Sequence, residues 1–431
     1  MFRFITPRNR RVLLSGTTGV LQRLAQLAAS LVILPLVLHC LGVAGFGVWG
    51  AATSLTWAGV MLDLGLGGAL VTLLPAARHR GEDPRDYVTA CLFVGVAFGL
   101  ALLLGGAAAV LACPGLLPSP PFLVAGLCLA VNVPLGLASS LWFGLQKGHV
   151  SGLWDTVQTV LMLGFVVAGA WAGAGVAILT LAVFGAGVLA NAGSLAHVLL
   201  TQPALRPSLR PKLAVVDHAL RGGALLALIT IAAACAYVFD NVLTLHWLGP
   251  QAAAQMAVAL RVCITAIGLL MVATQALWPA FVEAVALNDH RWVGRTLLRG
   301  TLAVAGLACA GGGLIVLAGN RVLALWLHQD LHLPRALFLA MAGWIVVLTL
   351  PRVAALLLNA TAQYKGQFMA QAAAAALALA LKPALAAAFG AAGLLAATPL
   401  VSLFLLCPAY AWLAWRQVAA PRFMKAQPCR S

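Results

Sequence analysis

Long apolar runs follow one another along almost the whole chain, and short breaks rich in Gly, Pro or charge separate them. A run of about 20 apolar residues, at ~1.5 Å per residue, matches the ~30 Å hydrocarbon layer of a bilayer. The runs are continuous, whereas the strands of a membrane barrel would alternate in short segments. The pattern therefore predicts an all-α polytopic membrane protein. We place twelve spans at residues 12–40, 44–74, 88–112, 121–145, 150–171, 175–200, 219–248, 251–284, 296–318, 334–359, 364–389 and 393–415.

Two short sequences recur at matching places in the two halves of this pattern. LHCLG at residues 38–42 ends span 1, and LHWLG at residues 245–249 ends span 7. QKG at residues 146–148 follows span 4, and YKG at residues 364–366 follows span 10. Six spans per half mean that both halves enter the membrane in the same direction. The repeats therefore predict two parallel six-helix lobes related by an axis along the membrane normal.

Composition and charge agree with this interpretation. Hydrophobic residues make up 63% of the 431 residues and charged residues only 8%. A net charge of +16 would suggest nucleic acid in a soluble protein, but here it orients the spans. Twenty of the 26 basic residues fall on the side of the N-terminal tail, and only Arg321 and Arg335 fall on the other. We expect both termini to lie in the cytoplasm.

The predicted organisation is an N-terminal lobe (1–200), a proline-rich cytoplasmic linker (201–218), a C-terminal lobe (219–416) and a basic tail (417–431). The nine cysteines have no metal-ligand spacing, and the sequence has no P-loop. We therefore expect no enzyme activity, no metal and no cofactor.

One stretch resembles a known family. Residues 41–49 read LGVAGFGVW and residues 62–67 read LDLGLG. These motifs resemble the Wzx-type oligosaccharide flippases, the polysaccharide-transporter branch of the MOP (multidrug/oligosaccharidyl-lipid/polysaccharide) exporter superfamily. The likeness covers the whole architecture, but its sequence signal is concentrated near the N-terminus. Many relatives have fourteen helices, and a count of twelve argues against the lipid II flippase subgroup.

The resemblance implies a MOP/MATE-like fold with two six-helix lobes around a central cavity that opens alternately to each side. It implies an undecaprenyl-pyrophosphate-linked oligosaccharide as cargo, moved to the periplasmic leaflet for O-antigen (lipopolysaccharide) or exopolysaccharide assembly. The location would be the bacterial inner membrane. The expected partners are this substrate, the bilayer, and polysaccharide polymerase and co-polymerase proteins, with no nucleic acid; we expect a monomer.

Charged residues inside the spans are the candidate functional groups, because each costs ~2.5–3.5 kcal/mol to insert. The basic ones are Arg23, Arg261, Arg352 and Lys382, and the acids are Asp63, Asp240 and, nearer a helix end, Asp155. Counted from the two LG turns, Arg23 matches Asp63 in depth, and Asp240 matches Arg261. We therefore predict these two ion pairs, provided that the helix faces agree.

Two interpretations of these charges stay open. They could be structural pairs that neutralise one another. Alternatively, the arginines could bind pyrophosphate, which suits the planar guanidinium fork, and exchange partners during transport. In the second interpretation Arg23, Arg261 and Arg352 bind the cargo, while Asp63, Asp240 and Lys382 serve as gating or coupling residues.

Helix 1 carries a polar stripe. Ser15, Thr18, Gln22 and Gln26 share one face, and Arg23 lies beside it. Hydrogen bonding between helices would explain such a stripe, but we favour a cavity lining that includes Gln22 and Gln26.

In span 10, Pro351 lacks an N–H and precedes Arg352. It should loosen the helix, as a gate requires. His39 and His246 recur at the LG turns, where we interpret them as helix caps.

The main alternative function is a cation-coupled MATE-type exporter of small molecules, with Asp63 or Asp240 as the coupling acid. The excess of basic residues within the spans favours an anionic cargo. A major-facilitator transporter shares the six-plus-six plan, but its usual signature is absent from the loop at residues 77–86.

Overall fold

The computed structural model describes residues 7–57, 65–112, 120–208, 211–212, 215–217, 228, 231–232, 237, 239–275, 277–327, 332–361 and 363–420. Within these ranges the chain is helical and contains no strand. Fourteen α-helices are described: α1 Pro7–Ser54, α2 Leu66–Arg80, α3 Pro84–Ala112, α4 Pro120–Gly144, α5 Gly148–Trp171, α6 Val176–Thr201, α7 Asp240–Leu248, α8 Pro250–Gln275, α9 Leu277–Ala286, α10 His290–Leu327, α11 Arg335–Thr349, α12 Arg352–Ala360, α13 Tyr364–Val401 and α14 Cys407–Ala419.

The predicted fold class, an all-α multi-pass membrane protein, is confirmed. Nine stretches of the described chain are long and apolar enough to cross a bilayer. Two of these, Gln22–Ser54 and Tyr364–Ala419, contain a glycine with non-helical dihedral angles, at Gly42 and Gly390. Tyr364–Ala419 therefore holds the predicted spans 11 and 12, and Gln22–Ser54 holds most of span 1 and the first part of span 2. Span 7 is described mainly at its end, in α7.

The repeated LG sequence adopts a similar backbone conformation at both of its positions. Gly42 has φ 65° and ψ 176°, and Gly249 has φ 86° and ψ 176°. Only glycine adopts this region readily, because a Cβ would clash with the backbone. His39 and His246 are exposed and make no hydrogen bond to a described residue. The predicted histidine caps are therefore not formed, and the glycines set the turns.

Span 2 is not one continuous helix, contrary to the prediction. α1 ends at Ser54, a 3-10 turn covers Leu55–Trp57, and α2 starts after Gly65, which has φ 75°. A left-handed glycine ends regular helical geometry. A depth count at ~1.5 Å per residue from Gly42 is therefore not valid beyond Ser54.

The two prolines within spans have different effects. Pro351 interrupts span 10, since α11 ends at Thr349 and α12 begins at Arg352, as predicted. Pro134 stays inside α4 and leaves the carbonyl of Ala130, four residues earlier, without its helical donor. Gly99 of α3 approaches this carbonyl so closely that a Cβ on it would lie 2.5 Å from the oxygen.

The chain forms two compact units, Met1–Ala227 and Leu228–Ser431. Each has its own apolar core. The core of the N-terminal unit joins α2, α3, α4 and α6 through residues such as Leu70, Val88, Leu141 and Val198. The core of the C-terminal unit joins α9, α10, α12, α13 and α14 through residues such as Phe281, Val293, Leu357, Ala378 and Ala414.

The described part of the linker packs on the N-terminal unit. Leu205 is fully buried in the core of that unit. The backbone N–H of Ser208 donates to Thr89 Oγ1 at 3.0 Å, and Lys212 Nζ lies 2.6 Å from Asp86 Oδ2. The hydrogen bond to Asp86 raises the pKa of the exposed Lys212 ammonium. The first half of the linker is thus a fixed part of the N-terminal unit.

The conformation of the LG turn predicts a specific substitution effect. Replacing Gly249 by Ala should lower the free energy of unfolding by about 1–3 kcal/mol, because the backbone would be strained although the added Cβ meets no atom within 4 Å. The apparent melting temperature of the purified protein, followed by tryptophan fluorescence, measures this loss.

Gly343 is the matched control for this substitution. It lies inside α11, and a Cβ there also meets nothing within 4 Å. The G343A variant should be unchanged or slightly more stable, since Ala favours helix over Gly. Equal losses in the two variants would show that the turn does not need glycine.

Candidate functional site

A buried ion pair lies inside the C-terminal unit. Lys382 of α13 donates from Nζ to Asp240 Oδ1 of α7, and both side chains are 0% exposed. Lys382 and Asp240 are the only fully buried ionised side chains in the described part of the chain. Removing an isolated charge from water is costly, so each makes burial of the other possible.

This pair corrects the predicted Asp240–Arg261 pair. Arg261 of α8 makes no salt bridge to a described residue, and its Nε is buried without a hydrogen-bond partner. Depth counting compared two helices adjacent in sequence, but equal depth does not require that the side chains face each other. Asp240 instead faces α13 and pairs with Lys382, which follows 142 residues later in the sequence.

Several buried polar atoms of the C-terminal unit lack a hydrogen-bond partner among the described residues. They include Asp240 Oδ2, Asn241 Oδ1, Arg261 Nε and Arg352 Nε. Buried polar atoms in proteins are nearly always bonded, so each of these needs an explanation. Neither arginine has a carboxylate partner in the described part of the chain, so Asp240 neutralises neither of these two positive charges.

The position of Arg352 follows from Pro351. The helix break places Arg352 at the first residue of α12, where it is half-buried. The sequence predicted this cation beside a loosened helix, and the structure agrees on both points.

The polar stripe of α1 lies on the N-terminal unit. Arg23 and Gln26 are exposed and Gln22 is half-buried. Arg23 interacts electrostatically with Asp155 of α5. The predicted partner of Arg23, Asp63, lies outside the described residues. Among the described acids, Asp155 is therefore the one that lies near Arg23. No partner for Asp155 was predicted from the sequence.

The contact between α1 and α5 explains this arrangement. Gly152 of α5 lies against Thr18 of α1, so that a Cβ on Gly152 would be 3.1 Å from Thr18 Oγ1. Close approach at this glycine brings the next turn of α5, with Asp155, toward the polar stripe. The signal in the sequence is a glycine three residues before an acid, which is too common to identify a contact.

Several further polar residues of the N-terminal unit connect α4, α5 and α6. Trp142 Nε1 donates to Ser194 Oγ at 3.1 Å, and Asn191 Nδ2 donates to Asn132 Oδ1 at 2.9 Å. These bonds are satisfied within the protein and tie the helices together. These hydrogen bonds could not be predicted from the sequence, because the partners are 52 and 59 residues apart and form no motif.

His197 completes this network. Its Nδ1 lies 3.1 Å from the indole N–H of Trp154, and its ring packs edge-on against Trp142, with centroids 5.0 Å apart. The acceptor role of Nδ1 fixes the neutral tautomer with the proton on Nε2. The histidine thus serves to pack two tryptophans.

Three arginines of the described spans carry guanidinium groups that can bind an anion. In the described part of the chain no three His, Cys, Asp or Glu side chains come together as a metal site would require. Exposed or unpartnered guanidinium groups occur in both units, at Arg23, Arg261 and Arg352. Guanidinium groups of this kind bind phosphate through paired N–H donors.

Solved structures with the same fold are transporters of the MOP superfamily. An inward-facing multidrug resistance MATE family transporter matches with a TM-score of 0.74 at 12% identity, covering 94% of this chain and 98% of the other. A MOP superfamily transporter from Pyrococcus furiosus, described as having a binding pocket of reverse polarity that suggests a different function, matches with 0.65 at 12% identity, covering 96% and 97%.

The Vibrio cholerae MATE transporter VcmN, in a point-mutant form, matches with 0.61 at 16% identity, covering 94% of this chain and 95% of the other. No protein-family model and no curated protein sequence matches the chain. The chain therefore has the MOP-superfamily transporter fold, at identities that show the fold alone.

The buried pair gives a stability prediction. Replacing Lys382 by Met should destabilise the protein by about 3–5 kcal/mol, because Asp240 would remain buried without its cation. The double variant D240N/K382M should regain most of this loss, since neither residue then carries a charge. The midpoints of thermal unfolding of the two proteins in detergent measure the difference.

Lys365 provides the control, because it is exposed at the start of the same helix, α13. K365M should melt at the wild-type temperature. If the double variant were as unstable as K382M, the packing of Lys382 rather than its charge would be the important property.

Proposed function

We propose that the chain is a flippase that carries an undecaprenyl-pyrophosphate-linked oligosaccharide across the bilayer by alternating access. The observation that carries this proposal is the charge distribution of the C-terminal unit. Asp240 is neutralised by Lys382, and Arg261 and Arg352 have no acid partner among the described residues. Unpaired cations in a membrane span are expensive and mark a functional site.

A diphosphate is the cargo group that fits two unpaired arginines. Each guanidinium can donate two parallel hydrogen bonds to one phosphate, and these charge-assisted bonds are about twice as strong as neutral ones. In a site of low dielectric the phosphate charge also offsets the cost of burying the arginines. Arg261 and Arg352 would thus be neutralised by the cargo when it binds.

The polar stripe of α1 supports a second contact region for the cargo. Arg23 and Gln26 are exposed although they belong to a membrane span. Polar side chains in a span avoid acyl chains and face a polar space. Gln22 and Gln26 offer amide groups for sugar hydroxyls, while Arg23, held near Asp155, offers a charge.

The alternative is a cation-coupled exporter of small molecules, as in the MATE family. That function needs an acid that is free to take up a cation or proton. Asp240 already binds the ammonium of Lys382, and Asp155 has Arg23 nearby. The Pyrococcus furiosus transporter, with its reversed pocket polarity, is a precedent for this fold with a different charge pattern. The observed charges therefore favour an anionic cargo.

Further parts of the proposal concern topology. Both termini would lie in the cytoplasm, and the protein would function in a bacterial inner membrane beside a polymerase and co-polymerase. The break at Pro351 would let α12, with Arg352, move as a gate.

Deleting the gene should leave lipid-linked glycan on the cytoplasmic face, which fluorescent lectin labelling of inverted vesicles would detect.

Substitution of the unpaired arginines tests the cargo. In proteoliposomes that contain a fluorescent polyprenyl-diphosphate oligosaccharide, R261A and R352A should each slow translocation roughly 10–100-fold, the loss expected for one charged hydrogen-bonding group. R23A should slow it as well. Reduction of the fluorophore in the outer leaflet by dithionite measures the rate.

The control is R335A, which removes an exposed arginine at the start of α11. It should transport at the wild-type rate. R261K should be intermediate, because lysine keeps the charge but loses the fork. Wild-type rates in R261A and R352A, or sodium- or proton-driven ethidium efflux by the wild-type protein, would favour the exporter instead.

A further inference from the structure

Helix α10 is longer than a bilayer needs. Its 38 residues span about 57 Å at 1.5 Å each, whereas the bilayer with both headgroup regions is only about 40–45 Å thick. The span predicted from the sequence starts at residue 296, but the helix begins earlier, at His290. Its apolar part follows residue 300, so that the first turns must lie at headgroup depth or beyond.

These first turns carry three arginines on one face. Arg291, Arg295 and Arg299 are four residues apart, so they form a row along the helix, and all three are exposed. Of the three, Arg291 and Arg295 precede the predicted span 9, which starts at residue 296. In the structure all three belong to one regular helix, so their side chains lie on the same side of it.

The same face continues into the bilayer as an apolar surface. Leu302 and Leu317 follow the arginine row along α10 and are 62% and 85% exposed. The opposite face, with Val293, Val304 and Ala308, is buried in the C-terminal unit. Exposed leucines in a membrane span contact lipid chains. The arginine row is therefore the polar end of a lipid-facing surface.

Two acids lie close to this row in the sequence. Glu283 and Asp289 belong to the preceding helix and turn, and Asp289 Oδ1 accepts a hydrogen bond from the backbone of Trp292. None of the three arginines makes a hydrogen bond or ion pair with a described residue. Their guanidinium groups are thus available to a ligand.

We propose that Arg291, Arg295 and Arg299 form a binding site for the headgroup phosphates of anionic phospholipids in the adjacent leaflet. The partner is a bulk lipid rather than the cargo, because the three arginines are exposed and continue a lipid-facing surface, whereas Arg261 and Arg352 are half-buried. Basic residues near a membrane surface gain on the order of 1 kcal/mol each from anionic lipid, so a row of three can retain such a lipid. Trp292, 37% exposed in the same turn, is a typical interfacial residue.

Native mass spectrometry of the full-length protein in detergent tests this site. Dioleoylphosphatidylglycerol and dioleoylphosphatidylcholine are titrated separately, and bound lipids are counted. The R295Q/R299Q variant should bind the phosphatidylglycerol roughly 30-fold more weakly than the wild type and the phosphatidylcholine unchanged. The R295K/R299K variant should bind both like the wild type, since it keeps the charges.

The matched control is R321Q/R335Q, which removes two exposed arginines at the other end of α10 and the start of α11. It should bind phosphatidylglycerol like the wild type. Equal weakening in both glutamine variants, or no weakening in either, would overturn the site. So would displacement of phosphatidylglycerol by an equimolar polyprenyl diphosphate, because the row would then bind the cargo. The melting temperature in detergent without added lipid should not change in R295Q/R299Q, which excludes misfolding.

Discussion

The cost of a charge in hydrocarbon is the constraint on which this structure depends. A membrane span provides no water for an ionised side chain, so the protein must supply a partner, exclude the charge from the span or retain it for a ligand. The chain uses all three solutions. Asp240 and Lys382 neutralise each other inside the C-terminal unit. Arg291, Arg295 and Arg299 lie at one end of α10, beyond its apolar part. Arg261 and Arg352 remain within spans without an acid partner among the described residues.

The spans and their turns could be predicted from the sequence because both depend on local properties. Hydrophobic length predicts a helix that crosses the membrane, and the recurrence of LG predicts a repeated turn, which the near-identical angles of Gly42 and Gly249 bear out. The break in span 2 was missed because its residues are as apolar as those of a continuous helix. Only the left-handed conformation of Gly65 distinguishes them, and a glycine within an apolar run does not by itself predict that conformation.

The charge pairs could not be predicted, for a different reason. Counting residues from a turn gives the depth of a side chain in the membrane. It does not give the rotation of the helix or the neighbours that the side chain faces, because both depend on the packing of the whole unit. Asp240 and Arg261 have similar depth on consecutive helices, yet Asp240 pairs with Lys382 from a distant part of the sequence. Among the candidate residues, Asp240 and Lys382 are buried, whereas Arg23 is exposed. The predicted partner of Asp240 was wrong, and the predicted partner of Arg23, Asp63, lies outside the described residues.

The pairing of Asp240 also changes what the remaining charges can do. Had Asp240 paired with Arg261, the C-terminal unit would hold a free lysine, a strongly hydrated point charge that can lose its proton when buried. The observed pairing leaves two arginines, which stay protonated in proteins and carry planar arrays of donors. Groups that keep their charge throughout a transport cycle cannot take up and release protons as a coupling acid does. They can, however, bind and release an anion whose own charge compensates theirs. Because Asp240 pairs with Lys382 and not with Arg261, both arginines remain for a ligand. This pairing supports an anionic cargo more strongly than the excess of basic residues alone.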